Sequence, residues 1–97
     1  RRLGWQLRSN LPGELVADQP FGLRASVVDR RGEPVTGRLE VKAGHPATRR
    51  GDQVLAGAHG REFAIPFTPG PGVWDVTLRF TSDSGDVLVR KSRVSAR

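Results

Sequence analysis

From Trp74 to Thr81 the chain alternates without a break, Trp74, Val76, Leu78 and Phe80 against Asp75, Thr77, Arg79 and Thr81. A period of two is the spacing of a strand with one face buried and the other in water, and it cannot present one apolar face on a helix of period 3.6. The same alternation recurs in Trp5 and Leu7 against Gln6 and Arg8, in Leu23, Ala25 and Val27 against Arg24 and Ser26, and in Leu39, Val41 and Ala43 against Arg38, Glu40 and Lys42. Phe63, Ile65 and Phe67 alternate with Glu62, Ala64 and Pro66, and a proline inside that run predicts an edge strand or a strand end. The Trp74 to Phe80 run predicts a central strand, and a more polar last strand is expected from Val87 to about Val94. No helical period is sustained anywhere. The stretch from Gly44 to Gly60 is the least regular and reads as a loop with one short edge strand.

Turn signals separate these runs: Ser9 to Gly13, Asp29 to Pro34, Pro69-Gly70-Pro71-Gly72 and Ser82 to Asp86. The Pro69 to Gly72 turn reads as a rigid hairpin device. With 12 Gly and 7 Pro among 97 residues, many turns are expected. About seven short strands in a single domain, 1–97, predict an all-β, immunoglobulin-like antiparallel β-sandwich, with a small barrel as the alternative. Trp5, Phe63, Phe67, Trp74 and Phe80 are expected to fill the space between the sheets. A chain of this length builds a core but no large internal cavity, so any ligand site is expected to be shallow.

The sequence also restricts the chemistry. Zero Cys removes disulfides, thiolate metal sites and cysteine nucleophiles. There is no Gly-x-Ser-x-Gly elbow, His45 and His59 have no adjacent Ser, and the ten acidic residues are scattered, so the chain reads as non-enzymatic with no catalytic residues and no cofactor. The Pro69 to Gly72 turn lacks the backbone donors of a phosphate cradle. No metal ligands are expected: with Cys and Met both absent, a copper site could draw only on His45 and His59, fourteen positions apart with Asp52 between them, and the alternative is that the pair is a surface coincidence. The aromatic residues fall on apolar faces, which leaves no stacking platform for nucleic acid.

Sixteen basic residues against ten acidic ones give a net charge of +6, but no block of five or six cations occurs. Many of the arginines alternate with apolar residues, as the solvated face of a strand does. For a protein partner the candidate contacts are Arg49 and Arg50 in the irregular stretch with Arg30 and Arg31 in the turn before it, the alternative being that all four are solvated turn residues. Arg90, Lys91 and Arg93 would blunt an exposed edge, and dimerisation through an edge strand is the other option.

Leu3-Gly4-Trp5, the Asp29-Arg30-Arg31-Gly32-Glu33-Pro34-Val35-Thr36-Gly37 turn, His45-Pro46-Ala47-Thr48 followed by Asp52, and Pro71-Gly72-Val73-Trp74-Asp75-Val76 together resemble the periplasmic part of FixH (CcoH) proteins, over about Leu3 to Arg79. The resemblance implies a non-catalytic periplasmic module of a membrane-anchored factor for assembling a cbb-type haem-copper cytochrome oxidase, linked to copper delivery. Its implied partners are oxidase subunits or the copper-transporting ATPase, on the periplasmic side of the bacterial inner membrane. The implied N-terminal anchor would precede Arg1, and no run of 18 apolar residues lies within the chain. The competing expectations are a secreted sandwich that binds a small ligand or carbohydrate, and a YtkA-like copper-associated domain.

Overall fold

The alternating runs form strands that face one another across a shared apolar layer. The structure, a computed structural model, describes residues 4–45 and 53–97. Arg49, Arg50 and Asp52 lie outside the described residues. Eight strands follow in chain order: β1 (Gln6–Ser9), β2 (Glu14–Leu15), β3 (Phe21–Val28), β4 (Gly37–Gly44), β5 (Gln53–Gly60), β6 (Glu62–Phe67), β7 (Gly72–Ser82) and β8 (Val87–Ala96). They make a three-stranded sheet, β1-β3-β6, and a five-stranded sheet, β2-β8-β7-β4-β5. The chain is therefore all-β, as the period-two pattern predicts. No helix among the described residues is long and apolar enough to cross a membrane.

The alternation decides which side of each strand is buried. In β7, Trp74, Val76, Leu78 and Phe80 point inward and are buried, while Thr77 and Arg79 face out. In β4, Leu39, Val41 and Ala43 turn the same way. Leu23, Ala25, Val27, Phe63, Ile65 and Phe67 answer from the three-stranded sheet and complete one core with them. Fully burying a Leu, Val or Phe side chain contributes roughly 1.5–3 kcal/mol, so this layer carries most of the fold's stability. Rings from opposite sheets meet edge to face: Phe63 and Phe80 at 6.2 Å between centroids, Phe67 and Trp74 at 5.9 Å. Such pairs add to the area they bury. The Trp74 indole N–H donates to the Gly70 carbonyl at 2.8 Å, which satisfies its polar end. Trp5 packs on the margin of this core, half-buried.

Strand positions follow the sequence signals in two cases. β6, with Pro66, is an edge strand, and β7 is central, between β8 and β4. Three features differ from expectation. β2 is an eighth strand, only two residues long, and it pairs parallel to β8 through Glu14 and Leu15 opposite Ser95 and Ala96. β5 is an edge strand of eight residues rather than a short one. The Pro69 to Gly72 turn joins β6 to β7, which belong to different sheets, so it is a crossover between layers and not a hairpin. The Asp29 to Pro34 turn likewise carries the chain from β3 to β4 across layers, and there Asp29 Oδ1 accepts from the Arg31 and Glu33 backbone N–H groups at 2.8 and 3.0 Å.

Candidate functional site

The outer face of the five-stranded sheet is built by the polar half of each alternation. Pairing across β4, β7 and β8 sets Lys42 beside Thr77 and Thr77 beside Lys91 in one row, and Glu40 beside Arg79 and Arg79 beside Val89 in the next. Adjacent strands lie about 4.8 Å apart, so the backbones of Lys42 and Lys91 are about 10 Å apart with the Thr77 hydroxyl between them. Lys42, Arg79 and Lys91 are exposed. They surround a shallow depression of about 410 Å³ in which Glu40 is the sole acid.

Two other charges of this face pair with each other. Arg93 Nε donates to Asp75 Oδ1 at 3.0 Å. That hydrogen bond and the carboxylate charge raise the guanidinium pKa above its already high ordinary value. The Arg38 guanidinium lies across β5, where a side-chain carbon on Gly57 would come within 2.6 Å of its Nη2. Lys42, Arg79 and Lys91 have no ion-pair partner among the described residues. Three cations from three strands thus converge around a depression lined by one acid, Glu40. Arg79 offers a planar fork and the lysines offer point charges, a donor set suited to an oxyanion.

A second depression, about 580 Å³, lies on the three-stranded sheet. Arg8 and Arg24 line it, but Ser26 sits between Arg8 and Glu62 in one cross-strand row, which places an acid in the same depression. Its Asn10 is used by the fold: the side-chain amide donates to Gly22 O at 3.0 Å and Oδ1 accepts from the Arg24 N–H at 2.7 Å. The charge there is nearer balance.

The residues singled out from sequence do not assemble into one site. His45 stacks on Trp74 with 4.0 Å between ring centroids, and its Nδ1–H donates to the Val73 carbonyl at 2.9 Å. His59 Nε2 meets Asp83 Oδ1 at 2.8 Å. Val73 and Asp83 flank opposite ends of β7, which at roughly 3.3 Å per residue puts them about 30 Å apart. A copper site drawing on both histidines is not assembled by this arrangement. Arg30 and Arg31 sit exposed in the turn between the sheets, with the Arg30 stem against Gly4. Alternation identifies Lys42, Thr77 and Arg79 as solvent-facing, but the last strand alternates too weakly to place Lys91, and nothing local shows that pairing would gather them.

No family model matches the chain, and no curated protein matches it. Solved structures do. Three structures of superoxide reductase (neelaredoxin) from Ignicoccus hospitalis, two of them variants, superpose on this chain. One variant has a TM-score of 0.79 at 11% identity over 98% of this chain and 82% of its own. The other has 0.75 at 12% over 94% and 79%, and the third structure 0.73 at 11% over 96% and 80%. At such identity the likeness concerns the fold.

These comparisons correct the expectation of a non-enzymatic oxidase-assembly module. The two-sheet architecture is also the fold of a named redox enzyme, so it does not mark a chain as non-catalytic. Missing sequence motifs of nucleophilic or carboxylate catalysis do not bear on redox chemistry either. One-electron chemistry requires a redox centre. With no Cys or Met in the chain, and no group of three or more His, Asp or Glu brought together among the described residues, those residues do not fit a protein-held redox metal. No electron-transfer step is assigned to them.

Proposed function

We propose that this chain takes a small anionic substrate on the outer face of its five-stranded sheet. The observation that carries the reading is the convergence of Lys42, Arg79 and Lys91 around Thr77, with Glu40 as the one acid lining the depression and Asp75 beside it paired to Arg93. The lysine ammonium groups and the Arg79 fork supply charge-assisted donors, and the Thr77 hydroxyl adds a neutral one. Superoxide, which gives the structural neighbours their name, is a small anion of this class. A face this open binds largely through charge, so affinity falls as salt rises. The net charge of +6 draws anions toward the molecule as a whole and the face localises them. The switch of the N-terminal segment, from pairing β3 in one sheet through β1 to pairing β8 in the other through β2, supports an immunoglobulin-like topology as the scaffold.

Titration with inorganic phosphate at low ionic strength, followed by backbone amide NMR, tests the reading. Saturable shifts concentrated at Lys42, Thr77, Arg79 and Lys91 are expected. Shifts spread evenly over all surface cations, or centred on Arg8 and Arg24, would overturn it.

A further inference from the structure

We infer that β8 is an acceptor edge for an extended acidic segment, which adds to the five-stranded sheet beside it. The backbone shows that the edge is open. On the side away from β7, the Ser95 N–H donates to Gly13 O at 3.0 Å and the Arg97 N–H to Leu15 O at 3.1 Å. The pairing of β7 with β8 runs from Gly72 opposite Ala96 to Thr81 opposite Val87 with no register shift. In a regular strand N–H and C=O groups alternate sides. Val87, Val89, Lys91 and Arg93 therefore direct theirs to the same side as Ser95. Among the described residues no strand pairs with them there, because β2 meets β8 only at Ser95 and Ala96.

A place for the added strand exists beside this edge. A cleft of about 770 Å³ separates β8 from β1, the edge of the other sheet, with Gln6, Leu7, Leu88 and Val89 in its lining. The cleft holds Arg8 and Arg90 and no acid. Next to it Val87 and Val89 are 47% and 53% exposed, and Lys91 and Arg93 extend the cationic row. Exposed valines and a free backbone ladder favour strand addition, in which main-chain hydrogen bonds give affinity and alternate side chains give selectivity.

Charge selects the occupant. A second copy pairing through the same edge would bring Arg90, Lys91 and Arg93 of each β8 into one ladder, and like charges in facing positions are destabilising. Edge cations are a known guard against self-pairing. An extended segment with carboxylates opposite Lys91 and small apolar residues opposite Val87 and Val89 satisfies every feature of the edge.

A synthetic extended peptide with aspartate at the alternate positions that face Lys91 and Arg93, and valine at those that face Val87 and Val89, tests this against the whole chain, with binding read by fluorescence anisotropy and hydrogen exchange. The inference predicts saturable binding, slowed exchange at the Val89 and Lys91 amides, and at least about tenfold weaker binding for Lys91→Glu and for a lysine–valine peptide. Methylating the peptide nitrogens that would face β8 removes ladder donors without touching the protein, and about the same loss is expected; this arm decides even where Lys91→Glu folds poorly. Equal affinity of the methylated peptide would show attachment by charge alone and overturn the inference. So would unprotected Val89 and Lys91 amides, or self-association of the chain that protects them without peptide.

Discussion

The Arg90 guanidinium crosses the open side of the molecule and donates through Nη1 to the Leu7 carbonyl at 2.8 Å, tying β8 of one sheet to β1 of the other. The two residues are 83 positions apart in the chain. Arg90 lies on the inward side of β8, in phase with Leu88 and Val94, so its long stem covers the rim of the core while its head serves an edge carbonyl. Arg90→Leu keeps the apolar cover and leaves that carbonyl to water. The change is expected to lower stability by about 1–2 kcal/mol and the thermal midpoint by roughly 5–10 °C, read by calorimetry. An unchanged midpoint would show that the contact contributes nothing.

Gly37 opens β4 where the backbone approaches its neighbours most closely. A side-chain carbon there would collide with the Thr81 carbonyl oxygen and would lie 2.5 Å from Phe80 Cζ. Phe80 is fully buried, so its ring has nowhere to go. Gly37→Ala is expected to destabilise by about 1–3 kcal/mol. Gly22→Ala is the control, since nothing lies within 4 Å of the added carbon, and it should shift stability by less than about 0.5 kcal/mol. Urea midpoints of the two variants measure the difference.

The Arg93–Asp75 pair is exposed on both sides. Asp75 raises the folded-state pKa of Arg93, so any stability this adds is fully present below the unfolded guanidinium pKa and is lost only as pH climbs through the folded one. Both lie far above neutrality. Asp75→Asn is therefore expected to leave the slope of stability against pH unchanged from about pH 6 to 9, and any small loss should vanish at high salt. Thermal midpoints over that range, at two salt concentrations, check it.

What the sequence reveals follows from how far each signal reaches along the chain. Alternation is local, so the inward set Trp74, Val76, Leu78 and Phe80 and the outward set Thr77 and Arg79 are readable from eight consecutive residues. Pro66 marks an edge because it lacks the N–H that a neighbour would need. Glu14 and Leu15 are too few to alternate, and β2 exists because Ser95 and Arg97 offer free donors to Gly13 and Leu15. Pro69 to Gly72 has the composition of any tight turn; that it bridges layers depends on Phe67 and Trp74 meeting across the core. The cationic face is the least legible part. Lys42, Thr77 and Lys91 become neighbours only through the registers of β4 with β7 and β7 with β8, and no local pattern encodes those. The same reach explains the histidines. His45 and His59 are close in sequence, yet one seats on Trp74 and the other on Asp83 at the far end of β7.

Anion binding is placed on the Lys42, Arg79 and Lys91 face. The most direct measurement is the phosphate dissociation constant of the chain beside those of two charge-reversed forms, Lys42→Glu with Lys91→Glu, and Arg8→Glu with Arg24→Glu. Both lower the net charge equally, so overall attraction is matched and only location differs. At least about tenfold weaker binding, roughly 1.4 kcal/mol, is expected for the first form and a much smaller change for the second. Equal losses in the two would mean that phosphate responds to net charge alone, and the assignment of the site would fall.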